Sequence, residues 1–294
     1  MEGLEGIAAG VFMETAEKAG EAESGAGDYT GGDGLLHCGK CHKPKEKILE
    51  FPGSLDRNGT GRRMKVRCMC ECETAARDKM LRQEKEREEL QQLQRLRDSS
   101  LIESRLREAR LSSFVKTRDN QNLYKMAQRY VEKFEDMYKK SQGILFWGTV
   151  GTGKSFTAAC IANELLDRRI PVIMTSFVKI LQNIQGGSVD EAQYIAQLNR
   201  AKLLIIDDLG TERNTDYALE KVYNVIDSRY LSGKPLILTT NLTLTEMQEA
   251  QDTRFKRIYD RIFEMCYPFR VYGDSWRMGQ AAQRFEDMRS ILEG

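Results

Sequence analysis

The sequence predicts an α/β fold in which helices flank a five-stranded parallel sheet. Short apolar runs alternate with helical segments from residue 143 onward, a pattern typical of parallel sheets covered on both faces. A glycine-rich segment at residues 148–155 joins the first apolar run to a helix. An acidic pair, Asp207 and Asp208, ends the third run, and parallel sheets bind their ligands at such strand ends.

The alternation of apolar runs and helical segments gives the order of the elements. The predicted strands are residues 144–147, 170–175, 203–206, 235–240 and 268–272. The predicted helices are residues 123–137, 156–166, 177–185, 217–230 and 254–265. In the first of these helices apolar side chains recur at helical spacing, so we expect one of its faces to pack in the core.

Residues 148–155 read GTVGTGKS and match the phosphate-loop pattern G-x-x-x-x-G-K-[ST]. Glycines let the backbone approach a phosphate closely, and successive N–H groups can then point at it. We expect Lys154 to reach the β- and γ-phosphates and Ser155 to hold Mg²⁺. The predicted nucleotide-binding residues are Gly148, Thr149, Gly151, Thr152, Gly153, Lys154, Ser155, Phe156 and Asp207.

Polar residues at the ends of later strands supply further chemistry. Asp207 is placed to hold Mg²⁺, directly or through water, and Asp208 to polarise the attacking water. Asn241 ends the next strand, where it can orient that water or sense the γ-phosphate. The sequence contains no N-K-x-D guanine signature, so it favours ATP over GTP.

Three arginines lie on the predicted helix that precedes the last strand: Arg254, Arg257 and Arg261. The second and third share one helix face, because side chains one turn apart are neighbours. The sequence predicts that one arginine is a finger that reaches the ATP of a neighbouring subunit. The alternative is a basic helix face that contacts solvent or DNA.

The composition predicts a cytoplasmic protein. The 294 residues carry a formal net charge of +1, so any basic surface must be local. No apolar run is long enough to span a bilayer, and the N-terminus lacks a basic-then-apolar secretory signal. Five of the seven cysteines cluster towards the N-terminus, which indicates a metal site in a reducing compartment rather than a disulfide framework.

The cysteine cluster predicts a structural zinc site. Cys38 and Cys41 form a C-x-x-C pair, and three more cysteines follow a loop-rich stretch. Two cysteine pairs of this kind suit tetrahedral zinc, and metal binding would stabilise so small a segment. We expect Cys70 and Cys72 to complete the set, because they lie against the start of the following helix. The reserve ligands are Cys68, His37 and His42.

The chain is expected to contain four segments. Residues 1–34 are rich in Gly and Glu and predict a disordered tail. Residues 35–72 form the zinc-binding module, and residues 73–110 a charged linker helix without a strict heptad. This helix is interpreted as a solvated spacer or as a docking surface for a partner. Residues 111–294 form the ATPase domain.

The segment from residue 143 to 277 resembles the minimal AAA+ ATPases of the DnaC and DnaI helicase-loader group and the related IstB transposition helpers. The motifs that carry the resemblance are, in order, GTVGTGKS, LLIIDDLG, LILTTN, RIYDRI and GDSWR. It implies that Arg261 is the arginine finger, Arg277 the sensor arginine that closes the domain, and Asn241 the first sensor. Asp208 stands where most AAA+ proteins have Glu, which implies slow ATP hydrolysis.

The resemblance also implies a function. The family resembled here implies a loader that depends on Mg²⁺ and ATP. Such a loader binds the replicative hexameric helicase and single-stranded DNA, and it assembles head to tail. The cysteine-rich segment resembles that of loaders of phage and Gram-positive type, whose zinc-bearing region grips the helicase. Too few residues follow position 272 for a helical lid domain. The alternatives are an IstB-like helper that acts on DNA with a transposase and, less favoured, a P-loop kinase of a small metabolite.

Overall fold

The computed structural model describes residues 27–51, 62–186, 190–211 and 215–293. Residues 1–26, most of the predicted disordered tail, lie outside the described residues. The chain divides into two compact units, residues 1–89 and 90–294. Helix α1 (Glu71–Ser99) contains the boundary between them.

The first unit contains two small antiparallel ladders. Strands β1 (Tyr29–Thr30) and β2 (Leu36–His37) form one, and β3 (Glu46–Phe51) and β4 (Arg62–Arg67) form the other. A buried ion pair of 2.7 Å joins Lys45 Nζ to Asp28 Oδ2. Ordered structure in this unit therefore begins before residue 35, the start that the sequence predicts for the module.

Helix α1 is the predicted linker helix, and none of its described residues is buried. It ends at Ser99, whereas the sequence predicts a helix that continues to residue 110. The Ser100 hydroxyl donates to the carbonyl oxygen of Arg97 at 2.6 Å, and Leu101 has φ 58°. A non-glycine residue in this left-handed region cannot continue a right-handed helix. Two 3₁₀ turns follow, at Ser104–Leu106 and Leu111–Ser113.

The second unit contains the five-stranded parallel sheet that the sequence predicts. Its strands are β5 (Gly143–Trp147), β6 (Val172–Ser176), β7 (Leu203–Leu209), β8 (Leu236–Thr240) and β9 (Cys266–Arg270). The strand order is β6-β7-β8-β5-β9, and every neighbouring pair is parallel. The first strand in sequence is therefore internal to the sheet, beside β8. The order of the strands reverses there: from β5 the chain crosses to the edge strand β6 and then returns through β7 and β8. Parallel sheets bind ligands at such switch points.

Nine helices are described around this sheet. They are α2 (Gln121–Glu132), α3 (Phe134–Lys139), α4 (Lys154–Asp167), α5 (Phe177–Gln185), α6 (Glu191–Arg200), α7 (Asp216–Leu231), α8 (Leu244–Gln248), α9 (Thr253–Met265) and α10 (Trp276–Leu292). After β9 the described chain forms the single helix α10, so the described residues contain no lid domain of several helices. None of the described helices combines the length and apolar character needed to cross a bilayer.

The sheet has an apolar core on each face, because successive side chains of a strand point to opposite sides. In β7, Leu203 and Ile205 pack with residues of α2 and α4, whereas Leu204 and Ile206 pack with residues of α5, α7 and α9. All four side chains are fully buried. Burial of each contributes about 1.5–3 kcal/mol. This double packing fixes the end of β7, where the acidic pair begins.

Candidate nucleotide and zinc sites

The phosphate loop connects β5 to α4, as the sequence predicts. Gly148 and Gly151 have φ values of 143° and 84°. A Cβ atom would lie 2.4 Å from the carbonyl oxygen of Val271 at the first position and 2.1 Å from Ser275 Oγ at the second. Only glycine fits this turn at these positions, because both the backbone angle and the close approach exclude a side chain.

Lys154 lies at the start of α4 and is 5% exposed. Its ammonium group donates to the carbonyl oxygens of Gly148 and Thr149 at 2.8 and 2.7 Å and to Asn241 Oδ1 at 2.8 Å. Burial lowers the pKa of this group, and the charges of the acidic pair oppose that shift. The acceptors are all neutral, so a phosphate offers the ammonium a stronger partner.

The acidic pair lies at the carboxyl end of β7, beside the phosphate loop. Burial raises the pKa of the Asp207 carboxyl, and hydrogen bonds from Thr239 and Ser155 oppose the shift. Ser155 and Asp207 thus bring two oxygen ligands together, the donor type that Mg²⁺ prefers. Asp208 lines the adjoining cavity and has φ 55°. The sequence-predicted Mg²⁺ ligands and the candidate water-polarising group therefore meet at one point.

A cavity of about 500 Å³ adjoins these groups. The phosphate loop, Asp208, Asn241 and Arg277 line its polar part. Its apolar wall consists of Leu106, Phe114, Val115, Phe156 and Trp276. An apolar and aromatic wall beside a phosphate-binding loop suits a purine ring.

Three residues of the apolar wall, Leu106, Phe114 and Val115, come from irregular segments that α4 and a loop asparagine hold in place. The side chain of Asn163, on α4, donates to the carbonyl oxygens of Leu106 and Ala109, each at 2.9 Å. Asn120 accepts the N–H of Thr117 at 2.7 Å and donates to the carbonyl oxygen of Val115 at 2.9 Å. Apart from Phe156, which directly follows the phosphate loop, the sequence gives no motif for this wall, because these tertiary contacts bring its residues together.

Arg277 reaches the site from the first turn of α10. The backbone N–H of Trp276 donates to the carbonyl oxygen of Gly151 at 3.0 Å, which fixes the start of α10 against the phosphate loop. Arg277 lines the cavity next to this contact. The sensor arginine implied by the resemblance thus lies on the same cavity as Lys154 and Asn241.

Arg261 is not among the residues that line the cavity. It lies on α9, where its Nε is 2.6 Å from Asp227 Oδ1, close enough for an ion pair although the two atoms are not aligned for a hydrogen bond. Its Nη2 donates to the Tyr223 hydroxyl at 3.0 Å, and the guanidinium lies over that ring and the ring of Tyr230. Arg257, one turn earlier, is exposed.

Four cysteines converge in the first unit: Cys38, Cys41, Cys70 and Cys72. Their sulfur atoms all lie within 4.8 Å of one another, as in a tetrahedral site. Hydrogen bonds from backbone N–H groups lower the pKa of Cys41 to about 6, which favours a thiolate ligand. Contacts with the three other sulfurs raise the pKa of Cys72 to about 12, because several thiolates so close together would repel one another. A bound divalent cation removes this repulsion and favours the thiolate form of a coordinating cysteine. This cluster fits a zinc module.

The three alternative ligands, Cys68, His37 and His42, contact groups outside this cluster. Cys68 Sγ lies 3.7 Å from the carbonyl oxygen of Pro44. His37 Nε2 is 3.1 Å from Asp33, and His42 Nδ1 is 3.2 Å from the Tyr29 hydroxyl. Cys70 and Cys72, the preferred pair, are the ones that approach Cys38 and Cys41.

We expect one tightly bound zinc ion per chain, measured by elemental analysis of protein purified without added metal. Cys38→Ser should lose the zinc and loosen the first unit while ATP binding remains, because structural zinc stabilises a fold locally. Cys68→Ser is the matched control and should keep a full equivalent. Zinc-free wild-type protein, or equal zinc loss in both variants, would contradict the assignment.

Comparison with known proteins connects the geometry to a family. The family model for IstB-like ATP binding proteins matches residues 66–284. The phage-like element PBSX protein XkdC of Bacillus subtilis (strain 168) is 36% identical over 149 residues, which cover 48% of this chain and 53% of XkdC. The replicative helicase loader DnaC of Escherichia coli (strain K12) is 28% identical over 152 residues, 50% of this chain and 60% of DnaC.

A solved structure supports the fold. The crystal structure of DnaI superposes with a TM-score of 0.51 and 24% identity, over 61% of this chain and 98% of that chain. Among the curated relatives, the chain spans little more than half the length of XkdC and DnaC. The family model covers the phosphate loop, the acidic pair, Asn241, Arg261 and Arg277. The chain therefore belongs to the IstB-like ATP-binding protein family.

Proposed function

We propose that this protein is an ATP-dependent loader of the replicative DNA helicase. The observation that carries the proposal is that Lys154, Asp208, Asn241 and Arg277 line one cavity, and that Asp207 is hydrogen-bonded to Ser155 in the wall of that cavity. This convergence occurs in a family whose relatives include the replicative helicase loader DnaC. A cysteine cluster suited to zinc lies in the first unit and supplies a separate module for a protein partner.

The site supports hydrolysis of ATP by residues with distinct roles. Ser155 and Asp207 would hold Mg²⁺, which neutralises phosphate charge. Lys154 exchanges its neutral acceptors for the β- and γ-phosphates, and this frees Asn241 to orient the attacking water. Asp208 accepts the proton of that water, and Arg277 faces the charge that develops on the phosphoryl group. Aspartate is one methylene shorter than glutamate, so we expect slow turnover.

The proposed partners follow from the loader role. The zinc module would bind the hexameric helicase, and the ATPase unit would bind single-stranded DNA in a head-to-tail assembly. Arg261 would then lie at the interface with the next subunit. Replicative helicases act in the cytoplasm of bacteria, so a loader of such a helicase would also be cytoplasmic.

A transposition helper is the second candidate, because the family model bears the IstB name. Such a helper would act on duplex DNA together with a transposase. The cysteine cluster favours the loader, since it supplies a folded module outside the ATPase unit. A small-metabolite kinase is less favoured, because the described residues contain no substrate lid.

We expect the full chain to capture a replicative hexameric helicase from a replicating host, and Cys38→Ser to lose it. Cys68→Ser should capture as well as the wild type, because it leaves the zinc cluster intact. Mass spectrometry of the captured proteins is the measurement. Recovery of a transposase in place of the helicase would support the second candidate, and equal helicase capture by all three proteins would exclude the zinc module as the binding surface.

A further inference from the structure

The acidic pair lies in an irregularity of the sheet. The register between β7 and β8 shifts between Ile206 and Leu209, so Asp207 and Asp208 fall where regular pairing is broken. Such irregularities in strands often lie beside active sites, where they redirect side chains. The backbone groups of this segment need partners other than the ladder.

One side chain of β8 supplies a partner for a backbone group of this segment and also contacts a side chain of the acidic pair. The Thr239 hydroxyl accepts the backbone N–H of Asp208 at 2.8 Å and donates to Asp207 Oδ1 at 2.5 Å. Thr239 is 0% exposed, so water does not compete for either bond. A threonine hydroxyl has one hydrogen to donate and lone pairs to accept, and both functions are used here.

The bond to the Asp208 N–H matters because the backbone of that residue is strained. Asp208 has φ 55°, a left-handed conformation that is unfavourable for a residue with a side chain. Its carbonyl oxygen is held separately, by the Thr211 hydroxyl at 2.7 Å. Strained residues at functional sites persist only where the surroundings fix them from several sides. Thr239 provides one of these fixed points.

The bond to Asp207 fixes the orientation of its carboxylate. The Thr239 hydroxyl holds Oδ1 at 2.5 Å, so the plane of the carboxylate is oriented beside Ser155 before a cation binds. Both acids therefore depend on the Thr239 hydroxyl. Asp207 depends on it for the orientation of its carboxylate, and Asp208 depends on it for the backbone conformation that turns its side chain towards the cavity.

We infer that Thr239 is a positioning residue for ATP hydrolysis, which aligns the Mg²⁺-binding and water-polarising carboxylates together. This inference rests on the proposed ATPase function. Neither the phosphate-loop motif nor the acidic motif contains this residue. The signal in the sequence is a threonine pair, Thr239 and Thr240, at the end of an otherwise apolar strand.

The test compares Thr239→Val, which keeps the shape but removes the hydroxyl, with Thr239→Ser, which keeps the hydroxyl. The first should lower Mg²⁺-dependent ATP turnover by about 10²-fold, the usual cost of a misplaced catalytic group. Metal-free ATP affinity should stay unchanged, because Lys154 is untouched. Thr239→Ser should restore most of the turnover.

Amide hydrogen exchange at Asp208, measured by NMR on the full chain, gives a readout independent of activity. We expect faster exchange in Thr239→Val and near wild-type protection in Thr239→Ser. Thr240→Val is the matched control, because its hydroxyl bonds to the carbonyl oxygen of Leu209 and the N–H of Leu242. It should leave the Asp208 amide protected. If Thr239→Val fails to fold, Thr239→Ala replaces it.

Unchanged Asp208 exchange in Thr239→Val, or turnover within twofold of the wild type, would overturn the inference. A wild-type protein that binds but does not hydrolyse ATP would refute the proposed ATPase instead. In that event the enhancement of ATP affinity by Mg²⁺ becomes the readout. Its loss in Thr239→Val and retention in Thr239→Ser would still support the positioning role, and its retention in both would overturn it.

Discussion

Lys154→Ala is expected to abolish ATP binding. The ammonium group is buried beside three neutral acceptors that leave it available for phosphate. Each hydrogen bond to a charged group contributes about 1.5–3 kcal/mol. Loss of contacts to two phosphates therefore costs about 3–6 kcal/mol, or roughly 10²–10⁴ in affinity. This is among the largest effects that any single substitution should have in this protein.

Titration with ATP followed by tryptophan fluorescence measures this effect. Trp276 lies in the cavity wall and donates its backbone N–H to the phosphate loop, so nucleotide should alter its emission. Lys139→Ala is the matched control, because this exposed lysine on α3 lies away from the cavity. The phosphate-loop assignment fails if Lys154→Ala binds ATP as tightly as the control does.

The polar part of the nucleotide site was predictable because its chemistry is local. The phosphate loop, the acidic pair and Asn241 each follow an apolar strand, and parallel strands bring their carboxyl ends to one edge. Of the apolar wall, only Phe156 was predicted, because it directly follows the phosphate loop. Leu106 and Phe114 come from irregular segments, and the hydrogen bonds of Asn163 and Asn120 place those segments. No short-range pattern encodes such contacts.

Three helices were also missed. Residues 191–200 form α6, with the Asp190 side chain as its N-cap, a signal present in the sequence. Helix α8 has five residues and a capping box between Thr243 and Glu246, a pattern too short to stand out. Helix α10 exposes most of its large apolar side chains, so it lacks the one-sided burial that pattern analysis detects.

The candidate zinc ligands illustrate what spacing alone leaves open. Three cysteines lie within five residues, and spacing does not show which two join the first pair. The fold separates Cys68 from Cys70 and Cys72, because β4 ends at Arg67 and α1 begins at Glu71. Cys70 and Cys72 lie at the start of the helix and reach the cluster, whereas Cys68 stays beside Pro44.

Arg261→Ala is expected to spare ATP binding and to lower hydrolysis. An arginine finger stabilises the charge that develops on the transferred phosphoryl group, an effect of roughly 10³–10⁵ in rate. We expect a smaller loss here, because we also expect Asp208, one methylene shorter than Glu, to slow the chemistry. Arg261 lies outside the cavity of its own subunit, and Asp227 and Tyr223 hold its guanidinium on the surface between α7 and α9. We therefore propose that Arg261, if it is a finger, acts on the ATP of a neighbouring subunit.

The Asp227 ion pair would orient Arg261 for the proposed role. With Nε beside Asp227 and Nη2 bonded to Tyr223, the guanidinium is oriented before any neighbour arrives. An oriented side chain loses less conformational entropy when it enters the next site. Because the proposed finger needs a neighbouring subunit, we expect ATP hydrolysis to depend on protein concentration. The rate should be low in dilute monomer and higher once subunits assemble on DNA.

Mixing two inactive variants, Lys154→Ala and Arg261→Ala, tests the intersubunit mechanism directly. In a head-to-tail assembly some interfaces pair the intact phosphate loop of one variant with the intact Arg261 of the other. ATP hydrolysis should then partly return, with single-stranded DNA present to promote assembly. Arg257→Ala is the matched control on the same helix face: it should retain activity alone, which separates a finger from a general basic surface. If the two variants co-assemble and mixing restores nothing, Arg261 acts within its own subunit or on DNA, and the intersubunit mechanism is wrong.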